Sequence, residues 1–512
     1  MSNFKKKLTD TINGDRFSSA TLTALIIAVL IVVNVILYTL VEVFGWYWYL
    51  EEERDLSLTG NSDVLFQEAI ETEQKVSITF FQTESALRSS QTGAQVYITA
   101  NQFKQKYPDL ISIRYINVIT KIDQDGKIVD LSKYTESMDG TKNTLDARSV
   151  LFECQTNGNY RVVSDTYSSA GFASFFTFDA EGYETSYNGE EMMSAMIRWV
   201  LDDEQNHKKA YFTKNHGEKA DIAFSDILVR AGYTIDLIDL RSVSKVPEDC
   251  DLLVISNPTS DFEAAREGPR VRTEIERIKT YIEEGGNLYV SLDPVVKALP
   301  IFEKFLSDYG ISYSTSVDKE SKTYRNYVKD NNNAVSLDGL TLISEYAQSD
   351  IAKAISKTVS DYESGRVIIE RAVALNLDEQ KNAKPLLISS SSSELVANGE
   401  VVERGAGYCV AAYSEVLTGD KTARIFVVPS IYLTSSGALV SGYSNRTFMF
   451  ALFEELYGID GLPYGCNNVI YDTGMLENLS KSMKNMYTII IMAIPAAIAV
   501  TGAIITTRRK NR

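Results

Sequence analysis

Two long apolar runs frame the chain. Ala20–Val41 is almost wholly apolar, with Asn34 its one strongly polar residue, and Met486–Thr506 is the second run. As a helix the first would span roughly 33 Å, about the thickness of a bilayer core. Lys5, Lys6, Lys7 and Arg16 precede it, Glu51, Glu52 and Glu53 follow it, and Arg508, Arg509, Lys510 and Arg512 follow the second run. Basic flanks mark the cytoplasmic side of a span. Both asymmetries therefore predict a two-pass protein of the cell membrane, in contact with its lipid, with both termini cytoplasmic and residues from about 50 to 484 outside the cytoplasm. Trp46, Tyr47, Trp48 and Tyr49 read as an interfacial aromatic belt. A cleaved signal peptide would have a shorter apolar region and a small-residue cleavage site, and FGWYWYLEEE is no such site.

Between the runs the apolar period switches repeatedly between that of a strand and that of a helix. Lys208–Pro294 shows this best. Ala210–Thr213, Tyr233–Leu240, Leu252–Ser256 and Asn287–Leu292 read as strands, and Leu252–Ser256 is continuous enough for burial on both faces. Ile222–Arg230 reads as a helix stopped by Gly232. Val271, Ile275, Ile278 and Ile282 share one face of another, ended by Gly285-Gly286. Strands alternating with helices predict an α/β fold with a doubly wound parallel sheet. Upstream, Glu51–Glu73 reads as an acidic stalk. Val76–Phe81 and Ile111–Val118 read as strands around a helix, Ala94–Tyr107, that ends at Pro108. Asn157-Gly158 joins two more strands, Ser149–Glu153 and Tyr160–Val163, as a hairpin. That order predicts a thioredoxin-like α/β domain without a CxxC. Thr166–Gly189 reads as a linker and Glu190–Glu204 as a helix. Downstream, helices are expected at Pro300–Tyr309, at Leu340–Lys357 and at Arg446–Tyr457 capped by Asn445. Strands are expected at Ile311–Ser316, Arg366–Leu377, Pro385–Ile388, Gly407–Tyr413 and Arg424–Pro429. Asp318–Asn333 reads as an exposed loop facing a partner, and Ser389–Ser393 as a loop. The implied organisation is a basic tail (1–19), a span (20–41), the stalk (50–73), and the thioredoxin-like domain (74–188). The doubly wound domain with a later β-rich extension comes next (189–465), then a linker (466–485), a span (486–506) and a second basic tail (507–512).

Composition narrows the chemistry. The 512 residues carry a net charge of −17 with both ends basic, so the middle is strongly acidic, which argues against nucleic acid as a partner. Four scattered cysteines exclude a disulfide framework and a zinc cluster, and two histidines leave little room for a histidine metal site or a triad. No P-loop, no G-x-S-x-G elbow and no H-E-x-x-H occurs, so neither cofactor nor metal is expected. Ligands of open α/β sheets sit beyond the carboxyl ends of the strands. Here those ends carry Asn215, His216 and Glu218, then Asp239 and Arg241, then Asn257, Thr259, Ser260 and Asp261, then Asp293. Asn215, His216, Glu218, Asp239, Asn257, Asp261 and Asp293 are the candidate ligand-binding set. The same types also serve structure: Asn215, Ser260 and Asp261 suit helix N-caps, Gly217 a turn, and Asp293-Pro294 a helix start. No catalytic residue is assigned, because no cysteine or serine nucleophile pairs with His216.

The layout resembles the GldG family, the gliding-motility-associated auxiliary components of ABC transport systems. The likeness is carried by VSITFF, AYFTKNHGEKAD, GYTIDLIDL, CDLLVISNPTSDF, YIEEGGNLYVSLDP, RIFVVPSIYL and SNRTFMFALFEELYG, together with the two apolar runs. It implies a central domain similar to glutamine amidotransferase-like domains that has lost catalysis, and no amidotransferase Cys-His-Glu arrangement is present here. It also implies a separate ABC permease and a separate ATPase as partner chains, which makes this chain a non-enzymatic auxiliary subunit. Two other classes stay open on the residues alone: a membrane-tethered hydrolase using Glu218, Asp239, Asp261 or Asp293, and a surface scaffold.

Overall fold

The computed structural model describes residues 55–471 other than 60, 137–141, 164–173, 179–181, 204–206, 220–221, 265–271, 406 and 441. The chain divides into two units, Met1–Asp55 and Leu56–Arg512, and every described helix and strand belongs to the second. Both expected spans and both basic tails lie outside the described residues. Among the described residues no helix is long and apolar enough to cross a membrane.

The fold is mixed α/β. Helix α1 (Ser62–Glu71) leads into strand β1 (Val76–Phe80), then helices α2 (Glu84–Ser89) and α3 (Gln91–Lys106), then strands β2 (Ile111–Asn117) and β3 (Ile122–Asp123). Strands β4 (Val150–Cys154) and β5 (Tyr160–Val163) complete a sheet of order β3-β2-β1-β4-β5. In it β1 and β2 are parallel, while β4 runs antiparallel to both β1 and β5. Gly158 takes φ +82° at the predicted hairpin, a conformation glycine adopts without steric cost. The expected stalk is instead partly core: Phe66 and Ala69 of α1 are buried with Phe103 and Tyr107. The expected linker is also structured. It holds β6 (Phe176–Phe178) and β7 (Glu184–Tyr187), with Phe175, Phe176 and Tyr187 buried, because its aromatic residues have a core to enter. Helix α4 (Gly189–Leu201) is buried along nearly its whole length, its Met192, Met193, Met196 and Ile197 lying in this same core.

The larger sheet begins as the alternation predicts. Strands β8 (Lys208–Thr213), β9 (Tyr233–Ile238), β10 (Leu252–Ser256) and β11 (Asn287–Ser291) alternate with α5 (Ile222–Arg230) and α6 (Glu274–Glu283). Helix α7 (Pro300–Asp308) comes next, then β12 (Ile311–Tyr313), β13 (Thr315–Val317), β14 (Thr323–Arg325) and β15 (Tyr327–Lys329). After these are β16 (Thr341–Tyr346), α8 (Asp350–Tyr362), β17 (Val367–Glu370), β18 (Leu375–Leu377) and β19 (Ala383–Ile388). The last described elements are β20 (Glu394–Ala397), β21 (Glu400–Arg404), β22 (Cys409–Thr418), β23 (Lys421–Val428), α9 (Ser436–Val440), α10 (Asn445–Tyr457) and β24 (Val469–Ile470). The main path runs β17-β16-β19-β22-β23-β11-β10-β8-β9. Its half from β9 to β23 is parallel, and the later strands add on antiparallel. Side chains alternate across it as the two-residue period requires. Leu252, Val254, Tyr289, Phe426 and Val428 face α5, α8 and α10, while Leu253, Ile255, Leu288, Val290, Ile425 and Val427 face α6 and α7.

Several local expectations need correction. Arg366–Leu377 is two strands, β17 and β18, parted by Arg371 at φ +51°. Leu340–Lys357 is not one helix: Thr341–Tyr346 alternates burial as strand β16, and Ser349 caps α8 through a bond from the Ala352 N–H at 3.4 Å. Asp318–Asn333 is not simply an exposed loop, since β13 and β14 form a hairpin and β15 pairs with β20. Its Asp330 is buried, accepting from the Asn332 and Asn333 N–H groups at 2.9 Å each and from the hydroxyls of Ser390 and Ser392, so the serine run is a loop with an internal role. Asn445 does not cap α10. Its amide bonds the Ile368 backbone on both sides (2.9 Å each) and donates to the Leu433 carbonyl at 3.0 Å, and Ser444 holds the cap position.

The two ends of the folded body meet. The buried Glu190 carboxylate accepts from the Thr59 N–H (2.9 Å), the Thr59 hydroxyl (3.1 Å) and the Asn467 N–H (2.7 Å). Asn467 Nδ2 donates to the Ser57 carbonyl at 3.0 Å, and Asn61 Nδ2 to the Gly465 carbonyl at 2.7 Å.

Candidate functional site

The carboxyl end of β8 runs into Asn215-His216-Gly217-Glu218, a turn with φ +82° at Asn215 and +71° at Gly217. The turn is pinned from β10's loop: the N–H groups of Thr259 and Ser260 donate to the His216 carbonyl at 2.8 and 2.9 Å. A Cβ on Gly217 would lie 2.0 Å from Thr259 Oγ1, so glycine is required there by space as well as by φ.

His216 is fully buried between two carboxylates. Nδ1 lies 3.2 Å from Glu218 Oε1, Nε2 lies 3.0 Å from Glu274 Oε1, and the ring stacks on Phe262 at 4.0 Å between centroids. Glu218 also accepts from the His216 N–H at 2.6 Å. Glu274, the first residue of α6, accepts from the Glu263 N–H at 2.9 Å and from Arg241 Nε at 3.1 Å. Burial alone would lower the His216 pKa, but its bonds to Glu218 and Glu274 outweigh that and raise it to about 9. Burial alone would raise the Glu218 and Glu274 carboxyls, yet their bonds to His216 hold both below the ordinary range. The ring is thus an imidazolium at neutral pH. Arg241 Nη2 sits 3.1 Å from Nε2, where two donors face each other, and both cations are held there by Glu274. An imidazolium with both protons on carboxylates has no lone pair with which to take a proton from a nucleophile.

The remaining candidates are placed in separate local roles. Asp239 accepts from the Arg241 N–H at 2.9 Å in a turn after β9, and Asp293 from the Val295 N–H at 2.9 Å after β11. Asp261 does cap a helix, but a distant one: its carboxylate accepts from the Ile301 and Phe302 N–H groups at 2.9 and 3.0 Å, at the start of α7. Asn257, at φ +51°, donates to the Lys219 carbonyl at 3.2 Å. Asn215 is exposed. The structure therefore brings His216 and Glu218 together and adds Glu274 and Phe262, which the strand-end criterion missed. Glu274 reads in sequence as an ordinary first-turn acid of a helix whose capping box is Thr273 and Glu276, and nothing local separates the two uses. Asp293-Pro294 opens a turn, and α7 starts only at Pro300. Among the described residues no group of three or more His, Cys, Asp or Glu could hold a metal ion. Cys250 lies before β10 and is buried, its thiol pushed up to about 12 by that burial.

A second concavity opens beyond β11. It encloses about 1030 Å³ between the Pro294–Ala298 loop, β14, β15, the turn between β20 and β21, and Arg371. Arg325 builds one wall: Nη1 donates to the Pro294 and Val296 carbonyls at 3.0 and 2.8 Å, and Nη2 to Glu303 at 2.7 Å.

No protein-family model matches the chain. No curated protein matches it either. Solved structures similar to it include a ThuA-like protein from Bacteroides uniformis, at 12% identity and TM-score 0.27, covering 48% of this chain and 90% of that one. PurLQS from Thermotoga maritima matches at 10% identity and TM-score 0.27, covering 48% and 98%. An exo-β-1,4-mannosidase from an Opitutaceae bacterium matches at 14% identity and TM-score 0.26, covering 54% and 40%. At those TM-scores the likenesses carry neither a fold assignment nor an activity.

Proposed function

We propose that the chain is a non-catalytic, membrane-anchored auxiliary subunit of an ABC-type transport system, of the GldG-like kind. Two spans, Ala20–Val41 and Met486–Thr506, hold a body outside the cytoplasm, built from a thioredoxin-like region and a doubly wound, amidotransferase-like region. The permease and the ATPase are separate chains. The carrying observation is the clasp at Glu190. The segment that comes after the first apolar run and the segment that precedes the second are bonded to one another through Thr59, Asn467, Ser57, Asn61 and Gly465. A body whose first and last described segments are bonded together suits a chain anchored on either side of that body. The matching of His216 by Glu218 and Glu274 supports a body that binds and transmits rather than one that performs acid–base work.

Cross-linking in native cells, extraction in mild detergent and affinity purification should recover a multi-span permease and an ATPase; recovery of neither sinks the proposal. Protease added to intact cells should digest the body. Digestion only after the cells are opened would reverse the orientation and remove the transport assignment with it.

A further inference from the structure

We propose that the cleft beyond β11 binds an apolar ligand that carries a single carboxylate, with Lys329 and Arg371 as the contacts for its charge. This inference stands apart from the transport assignment, since it uses the cleft alone. At about 1030 Å³ the cleft reaches the upper range of small-molecule sites, and it lies past the carboxyl end of a central parallel strand, where open α/β sheets take ligands.

Its charges sort into spent and available. Arg325 is committed to two backbone carbonyls and to Glu303, which takes Glu303 out of play as well. Asp338 is turned onto the Ser336 hydroxyl (2.6 Å) and the Leu340 N–H (3.1 Å) of its own turn. Lys329 makes no ion pair or side-chain hydrogen bond among the described residues. Arg371 has a loose contact with Glu370 at 3.5 Å and lies 6.0 Å from the centre of the Tyr432 ring, while its side chain stays 47% exposed. Two cations thus face the cleft with capacity to spare, in a chain whose overall charge is −17. Counted over the lining, Arg325, Lys329 and Arg371 against Glu303 and Asp338 leave one net positive charge, and a positive concavity in an acidic protein draws small anions.

Arg371 is also held at φ +51°, its N–H bonded to the Leu340 carbonyl at 2.9 Å. A non-glycine residue in that region is strained, and such strain collects at ligand sites. The rest of the lining suits an apolar body: Val295 stands 71% exposed, beside Val296, Leu340, Val396 and the Tyr324 ring. The planar guanidinium fork of Arg371 matches a carboxylate, with the Lys329 ammonium as a second donor.

The chemistry is shared by two sources, a free carboxylate and a peptide C-terminus. The test titrates the full chain, in lipid nanodiscs, with 4-phenylbutyrate and with N-acetyl-leucyl-phenylalanine, each against its uncharged amide. Calorimetry should show the acid of at least one pair binding about tenfold tighter than its amide, the worth of one charge-assisted hydrogen bond. Binding confined to one acid supports the site and names the source. The Lys329→Gln, Arg371→Gly double variant, in which glycine accepts the positive φ, should lose that preference with an unchanged melting temperature. Should the double variant fail to fold, Lys329→Gln alone should lose about threefold. Equal affinity for acid and amide, an undiminished preference in the variants, or no binding of any probe at millimolar concentration would overturn the proposal.

Discussion

Two places at the carboxyl ends of one sheet differ in kind. The knot around His216 has the residues from which active sites are made, and its centre is turned inward: the ring lies on Glu218, Glu274 and Phe262 with no surface of its own, and only the Arg241 side chain is exposed. The cleft past β11 has residues that no catalytic pattern would select, and it is open. Chemistry-bearing residue types are therefore a poor guide here. Spare capacity is the better one, because a buried charge must be matched by its neighbours before it can exist at all, and a matched group has little left for a ligand.

The sharpest way to break the contrast is to unbalance the knot. Glu274→Ala leaves a buried imidazolium and Arg241 with one partner fewer, and should cost about 3–5 kcal/mol in chemical denaturation. A loss under about 1 kcal/mol would mean that the knot is solvated and free to act.

Protonation of the same knot gives the next effect. His216 is raised from 6.5 to about 9, so the folded state holds the extra proton between those values. That stability is complete below pH 6.5 and is lost as pH rises through about 9. Glu218 and Glu274 are lowered from 4.5, so their contribution is complete above pH 4.5 and is lost as pH falls through their depressed folded values. The knot is thus strongest between pH 4.5 and 6.5. Denaturation midpoints followed upward from pH 6.5 should fall, and His216→Gln should flatten that slope.

Gly217→Ala comes third. It meets both a left-handed φ and Thr259 Oγ1 at 2.0 Å, and should cost roughly 2–3 kcal/mol. Gly126→Ala, at φ +80° with nothing within 4 Å, should cost only about 1 kcal/mol. Equal costs would show the NHGE turn to be loosely held. The smallest effect belongs to the cleft: Val295→Ser should stay within about 0.5 kcal/mol in stability, as an exposed wall residue allows.

Much of the element pattern is legible in the residues themselves. Leu252–Ser256 is an all-buried strand, α7 starts at Pro300, Gly232 takes φ +97° after α5, and Asn157-Gly158 turns a hairpin. These features depend on neighbours in sequence, and the residue types answer for them directly. The misreadings share one cause. Thr341–Tyr346 is open to a helical reading because its apolar residues also fit helical spacing, and only pairing with β17 and β19 selects the strand. The aromatic residues of 174–187 read as a linker until a core exists to receive them. Asn445 has the type of a cap, and its amide is claimed by a strand 77 residues away.

Alone, the sequence determined the strand–helix alternation of the α/β body, the acidity of that body and the two apolar runs outside the described residues, because periodicity, charge and run length are properties of neighbours. The tertiary structure decided which polar groups are spent. Glu274 reaches His216 across 58 residues, and Asp261 reaches the start of α7 across 40. An apolar pattern states which face of an element is buried, but it does not state which distant carboxylate arrives opposite a given histidine. That pairing comes from the strand order, and the strand order is a property of the whole fold.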